Sequence, residues 1–147
     1  MIDVNSPEVF IEAVKNYQIA DEDQIAQVRR ENSITGEPFR DIVQRVTGCA
    51  DYDILNAIAF HFGMETVGLA EADLPAEVTE LVDAEFAIKN RLIPVWREGR
   101  ALKVAIDDPM NLRALDEVRA LTGADVEAVL ATPKDIDVAL ERYYGAG

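Results

Sequence analysis

The sequence predicts an α+β protein in which N-terminal helical hairpins precede a small mixed three-stranded sheet packed with helices, in the order α-β-β-α-β-α. Three observations point there. Apolar residues recur at helical spacing through about the first 63 positions. A stretch rich in Gly, Pro and acidic residues then interrupts the pattern. Beyond it, short apolar runs bounded by turn residues alternate with further helical stripes. The expected divisions are a helical subdomain over 1–64, a connector over 65–75 and an α/β subdomain over 76–147.

Ser6-Pro7 forms a cap and first turn, and Val9, Phe10, Ala13, Val14 and Tyr17 fall on one face of the helix that follows. Asp21 caps a second helix carrying Ile25 and Val28, which Thr35-Gly36 breaks. A third helix presents Phe39, Ile42, Val43 and Val46 and ends at Gly48. A fourth runs from about Ala50 through Ile54, Ala57, Ile58 and Phe62 to Gly63. Shifted by 29 residues, Phe10, Val14, Ile25 and Val28 match Phe39, Val43, Ile54 and Ala57, a weak repeat that predicts two tandem hairpins.

After the connector, one helix or two short ones over about Ala76 to Asn90 presents Val78, Leu81, Val82 and Phe86. Leu92 to Arg97 and Ala101 to Ile106 read as strands joined by Glu98-Gly99-Arg100. Asp108-Pro109 is expected to start a helix, with Asp108 as its cap, that presents Leu112, Leu115, Val118 and Leu121 and stops at Gly123. Val126 to Ala131 is a third strand, and Thr132-Pro133 caps a last helix with Ile136, Ala139, Leu140 and Tyr143 inward. A strand–helix–strand unit of this kind requires a right-handed crossover between parallel strands.

Fourteen basic against 28 acidic residues give a net charge of −14, a field that repels nucleic acid and anionic lipid. The acids are spread along the chain, as in a solvated surface. Ile54 to Met64 is too short to cross a bilayer and contains Asn56 and His61, so no direct membrane insertion is expected. Met1-Ile2-Asp3-Val4-Asn5 lacks the features of a signal peptide. The single Cys49 fits a reducing, cytoplasmic setting.

No motif carries chemistry. The eight glycines form neither a Gly-x-x-x-x-Gly-Lys-Ser/Thr nor a Gly-x-Gly-x-x-Gly loop, so backbone amides have no arrangement for cradling phosphate. Asp107-Asp108 after a strand could hold magnesium, but the Asp-Pro step is explained by a helix start. His61, flanked by Phe60 and Phe62, reads as a partly buried structural residue, and Cys49 as a small packing residue. Asp21-Glu22-Asp23 and Asp51-Tyr52-Asp53 lack the Gly and distal Glu of a calcium loop and read as acidic first turns of helices. Trp96, the lone tryptophan, sits on a strand beside Pro94, where it serves either as core or as an exposed anchor for a partner.

The run Ala101-Leu102-Lys103-Val104-Ala105-Ile106-Asp107-Asp108-Pro109-Met110-Asn111, with Asp116-Glu117-Val118-Arg119, Thr122-Gly123, Thr132-Pro133-Lys134-Asp135-Ile136 and Arg142-Tyr143-Tyr144-Gly145, resembles the N-terminal domain of the assembly ATPases of type II secretion and type IV pilus systems. Ile93-Pro94-Val95 also fits, so the resemblance runs from about Leu92 to Gly145. It implies a non-catalytic domain ahead of a hexameric motor, with ATP and magnesium confined to a later domain. It also implies two partners: the cytoplasmic part of an inner-membrane platform protein, and the motor domain of the parent chain. The chain would then be a fragment or a stand-alone relative, held at the inner membrane through a protein.

A related subgroup binds cyclic di-GMP through two helical motifs that begin Arg-Leu-Gly and end near Gln. Here the second copy reads Pro38-Phe39-Arg40, and His61 takes the Gln place, which removes the arginine that would meet guanine and phosphate. The expectation is therefore a docking domain with no catalytic residue, no metal and no resident cofactor; the alternative is a cyclic di-GMP-sensing regulatory module with a degraded motif. Trp96, Arg97 and Tyr144 are the partner-contact candidates, with Asp108 and Thr132 as helix caps.

Overall fold

A computed structural model describes residues 7–145, which divide into two compact units that part between Gly63 and Met64. The expected cap Ser6 lies outside the described residues.

The first unit holds α1 (Pro7–Asn16), α2 (Glu22–Thr35), α3 (Phe39–Thr47) and α4 (Asp51–Phe62). Asp21 and Gln24 form a reciprocal capping box at α2: the Asp21 carboxylate accepts from the Gln24 amide, and the Gln24 side chain accepts from the Asp21 amide. At α4 the Asp53 carboxylate accepts from the Ala50 amide. Gly36 closes α2 at φ 73°, a left-handed turn that needs no Cβ.

The helices pack mainly as α2 against α3 and α1 against α4, rather than as the two tandem hairpins that the repeat predicts. The tight Gly36-Glu37-Pro38 link folds α3 back on α2, where Asn32 donates to the Glu37 carbonyl and Arg45 bridges Glu31 and Glu37. Phe10, Val14, Ile25, Val28, Ile42, Val43, Ile54 and Ile58 are buried. Tyr17, expected inward, is 42% exposed and lies against the ring of Phe60. His61 is also exposed, edge-on to Phe62, because the buried face of α4 runs through Ile54, Leu55, Ala57, Ile58 and Ala59.

The second unit contains β1 (Glu65–Thr66), α5 (Ala76–Thr79), α6 (Ala84–Asn90), β2 (Leu92–Glu98), β3 (Ala101–Ile106), α7 (Leu112–Thr122), β4 (Asp125–Leu130) and α8 (Pro133–Tyr144). Among the described residues the sheet has four strands, not three, in the order β1-β4-β3-β2. β2 and β3 form the antiparallel hairpin; β3 pairs parallel with β4, and β4 with β1. The fourth strand comes from the stretch expected to be a connector. Its two residues are too few to show any alternation, and Val67 extends the pairing by donating to the Leu130 carbonyl.

Asp108 does not cap a helix. Asp108-Pro109-Met110-Asn111 forms a turn in which the Asp108 carbonyl accepts from the Asn111 amide and its carboxylate from the Met110 amide. α7 begins only at Leu112. A proline at the second position of a turn has the same fixed φ as one at a helix start, so the Asp-Pro step fits both. Within α7, Ala114, Leu115 and Val118 are buried while Leu112 and Leu121 are exposed. Residues spaced three apart drift by about 60° per step around a 3.6-residue helix, and the ends of that series leave the buried face. At α8 the Thr132 hydroxyl accepts from the Asp135 amide, and Gly145 ends the helix in the left-handed conformation.

Two substitutions test this packing. Leu115→Ala is expected to cost about 2–5 kcal/mol through lost burial and a residual cavity. Thr132→Ala is expected to cost about 1 kcal/mol through the lost cap. Urea unfolding followed by circular dichroism reads both, and a Leu115→Ala protein as stable as the parent would refute the buried face assigned to α7.

Candidate functional site

The outer half of β2 is exposed while Leu92, Ile93 and Pro94 are buried. Pro94 is tolerated because β2 is an edge strand and nothing pairs on its far side within the sheet. Between Pro94 and Trp96 the register shifts: Pro94 faces Val104 and Trp96 faces Lys103, so Val95 is an extra residue. A bulge of this kind re-aims the side chains beside it. Val95 and Trp96 both line a cavity of about 320 Å³, together with Lys103 of β3, Val129 of β4, Glu65 of β1 and the loop residues Ala72, Asp73 and Leu74.

Lys103 is the hub of this site. Its Nζ stands 5.2 Å from the Trp96 ring centre and donates to Glu65 Oε2 at 3.1 Å. The Glu65 hydrogen bond and charge, with Glu127 adding, hold the Lys103 amine above its ordinary pKa. Trp96 remains 43% exposed, so it is neither core nor free surface but one wall of a cavity.

Arg97 is exposed and donates to the Gly99 carbonyl within the hairpin. Tyr144 is not brought together with Trp96. It lines a separate cavity of about 470 Å³ with Thr79, Val82 and Asp83, and Leu74 is a wall of both. The Tyr144 hydroxyl donates to the Thr79 carbonyl at 2.6 Å, and burial pushes its phenol well above the usual range. Sequence reasoning missed Lys103 and Glu65. A single charge inside Ala101-Leu102-Lys103-Val104-Ala105-Ile106 marks the open face of that strand, whereas nothing local to Glu65 marks it as a strand residue.

Asp107 is held by Arg91, whose guanidinium also donates to Asp137 Oδ1 at 2.7 Å and to the Pro133 carbonyl. Burial of Arg91 opposes its charge, but the two carboxylates outweigh this and raise its pKa. Among the described residues no three His, Cys, Asp or Glu side chains gather as a metal site. In the first unit, Arg29 is paired with Glu8 in exposed positions, and exposed Arg45 with the half-buried Glu31 and Glu37.

Residues 62–147 match the profile of the MshEN domain. The chain belongs to the MshEN domain family. The type IV pilus assembly ATPase PilB of Myxococcus xanthus is 29% identical over 121 residues, 82% of this chain, too long a stretch for the second unit alone. PilB of Pseudomonas aeruginosa is 29% identical over 58% of the chain, and PilB of Thermus thermophilus 32% over 62%. The chain spans 21%, 15% and 10% of these relatives' own lengths. Among solved structures, MshE with cdg superposes with a TM-score of 0.75 at 22% identity, covering 92% of this chain and 98% of that one. The N-terminal domain of XpsE gives 0.66 at 22% identity, covering 98% and 100%. This MshEN chain thus aligns with part of several type IV pilus assembly ATPases and shares the fold of the N-terminal domain of XpsE.

The Lys103–Glu65 pair has a measurable signature. A lysine whose folded pKa is raised contributes stability that is complete below its unfolded pKa and is lost as pH rises through the folded one. In an NMR titration Lys103 is expected to lose its proton above 10.5 and to shift down toward that value in Glu65→Gln. A midpoint that is the same in both proteins would show that Glu65 does not hold the ammonium.

Proposed function

We propose that this MshEN domain is a non-catalytic docking and regulatory module of a secretion or pilus ATPase that binds the cytoplasmic part of an inner-membrane platform protein. The observation that carries the reading is the aromatic-walled cavity on the open face of a family domain. An exposed tryptophan fixed by a neighbouring cation is a pre-organised anchor, and binding energy at protein interfaces concentrates on such residues. Trp96 and Arg97 form the contact on this reading, while Tyr144 holds α8 to the carbonyl of Thr79 and supports the fold. The parent chain's motor domain would carry ATP and magnesium. The domain would lie in the cytoplasm, peripheral to the inner membrane through its partner. No helix among the described residues is long and apolar enough to cross a membrane.

A second reading, a cyclic di-GMP sensor, is favoured by the likeness to MshE with cdg. Against it, the second helical motif carries Pro38-Phe39-Arg40, and the carboxylates on Arg29 and Arg45 neutralise charges that a phosphate would need. We favour docking without a resident cofactor.

The cytoplasmic part of a platform protein from the same organism, immobilised, is expected to capture the domain. Trp96→Ala should weaken the complex by tenfold or more, while Tyr144→Phe should leave it intact. Calorimetry with micromolar cyclic di-GMP is expected to give no heat. A saturating isotherm together with no platform binding would replace docking by sensing.

A further inference from the structure

We infer that the cavity beside Trp96 receives an arginine or lysine side chain from a basic segment of the protein partner. The inference rests on the docking reading and adds the chemistry of what docks. Three observations carry it.

The lining supplies two carboxylates, Glu65 and Asp73, against one ammonium, Lys103, and that ammonium is already engaged. Lys103 uses Glu65 Oε2, and a carboxylate with about four acceptor sites has capacity for a second donor. The side chains of Glu65 and Asp73 are 62% and 99% exposed, so both can turn toward an incoming cation. Asp73 meets Arg142 at 3.2 Å, an exposed pair of the kind that contributes little and exchanges readily. Glu127 lies close enough to raise the Lys103 pKa and adds negative potential to the same face.

Trp96 supplies the second element. Lys103 occupies its vicinity at 5.2 Å, yet the residue keeps 43% of its surface, and an indole face attracts a guanidinium more than any other aromatic. Size is the third. About 320 Å³ is at the small end of ligand cavities and suits one long side chain and its neighbours on an extended segment. An acidic segment would instead have to displace Glu65 from Lys103 while facing Asp73 and a chain of net charge −14. Long-range attraction in such a field favours a basic partner and speeds its encounter.

Trp96 is the only tryptophan in the 147 residues, so its fluorescence reads the cavity directly. The probes are a capped pentapeptide of alanine, arginine, leucine, arginine and alanine, and its counterpart with glutamate for each arginine. The arginine peptide is expected to change Trp96 emission saturably, with affinity falling as salt rises, and the glutamate peptide is expected to have no effect. Glu65→Gln should weaken the arginine peptide about tenfold. Lys103→Met frees Glu65 and should tighten it several-fold, a gain that damage to the fold would not produce. Circular dichroism verifies that both variants fold.

A flat response to the arginine peptide, an equal response to the glutamate peptide, or the two variants moving affinity in the same direction would overturn the inference. Platform binding measured on the same proteins separates the two ideas. Platform binding without a peptide response removes the basic-segment inference alone. A peptide response without platform binding removes the docking partner and leaves the cavity to another basic protein.

Discussion

The surface of the second unit depends on the register of β3 between its neighbours. Leu102, Val104 and Ile106 all have no exposed surface, while Lys103, one position out of phase, reaches the opposite face. Because side chains alternate along a strand, a slip of one residue would bury the Lys103 ammonium and expose three large apolar groups. The same pairing aligns Lys103 with Glu127 and Ala105 with Val129 on β4, and Val129 in turn with Glu65 on β1. Glu65 thus reaches Lys103 through β4, although 38 residues separate them in sequence. The bulge at Val95 completes the row by bringing Trp96 opposite the same lysine. One register therefore sets both the core and the composition of the cavity.

A second constraint closes the far end of the sheet. Arg91 ends α6 in the left-handed conformation at φ 52°, unusual for a residue with a Cβ. Its guanidinium compensates by tying together Asp107 after β3, Asp137 on α8 and the carbonyl of Pro133. Asn111 adds a donor to the Asn90 carbonyl next door. This network explains why the paired aspartates after β3 are structural: Asp107 balances a partly buried cation, and Asp108 shapes the turn that delays α7 until Leu112.

The strong periodicities were legible. Helical stripes such as Phe10 and Val14, or Ile136 and Ala139, and the hairpin around Gly99 need only local pattern, and the structure contains them. The MshEN relationship was also carried by local runs, above all Ala101 to Asn111. What was illegible depends on non-local partners. β1 exists because β4 offers it an edge, and a two-residue strand has no pattern of its own. The pairing of α1 with α4 follows from the packing of all four helices, which a pairwise repeat misreads as tandem hairpins. The cavity was half visible: Trp96 stood out by composition, but Lys103 and Glu65 acquire meaning only once three strands lie side by side.

The distribution of charge pairs separates the two units. In the helical unit carboxylates sit beside Arg29 and Arg45 and offset their charge, at positions where salt and water weaken what remains. In the sheet unit Lys103 neutralises Glu65 and Arg142 meets the exposed Asp73, while Glu127 adds negative charge on the Lys103 face. The cation there also lies within cation–π reach of the Trp96 indole ring. An acidic chain can therefore still hold a half-exposed tryptophan beside a cation on one face of its sheet. That arrangement comes from where the few cations are placed, not from the net charge alone.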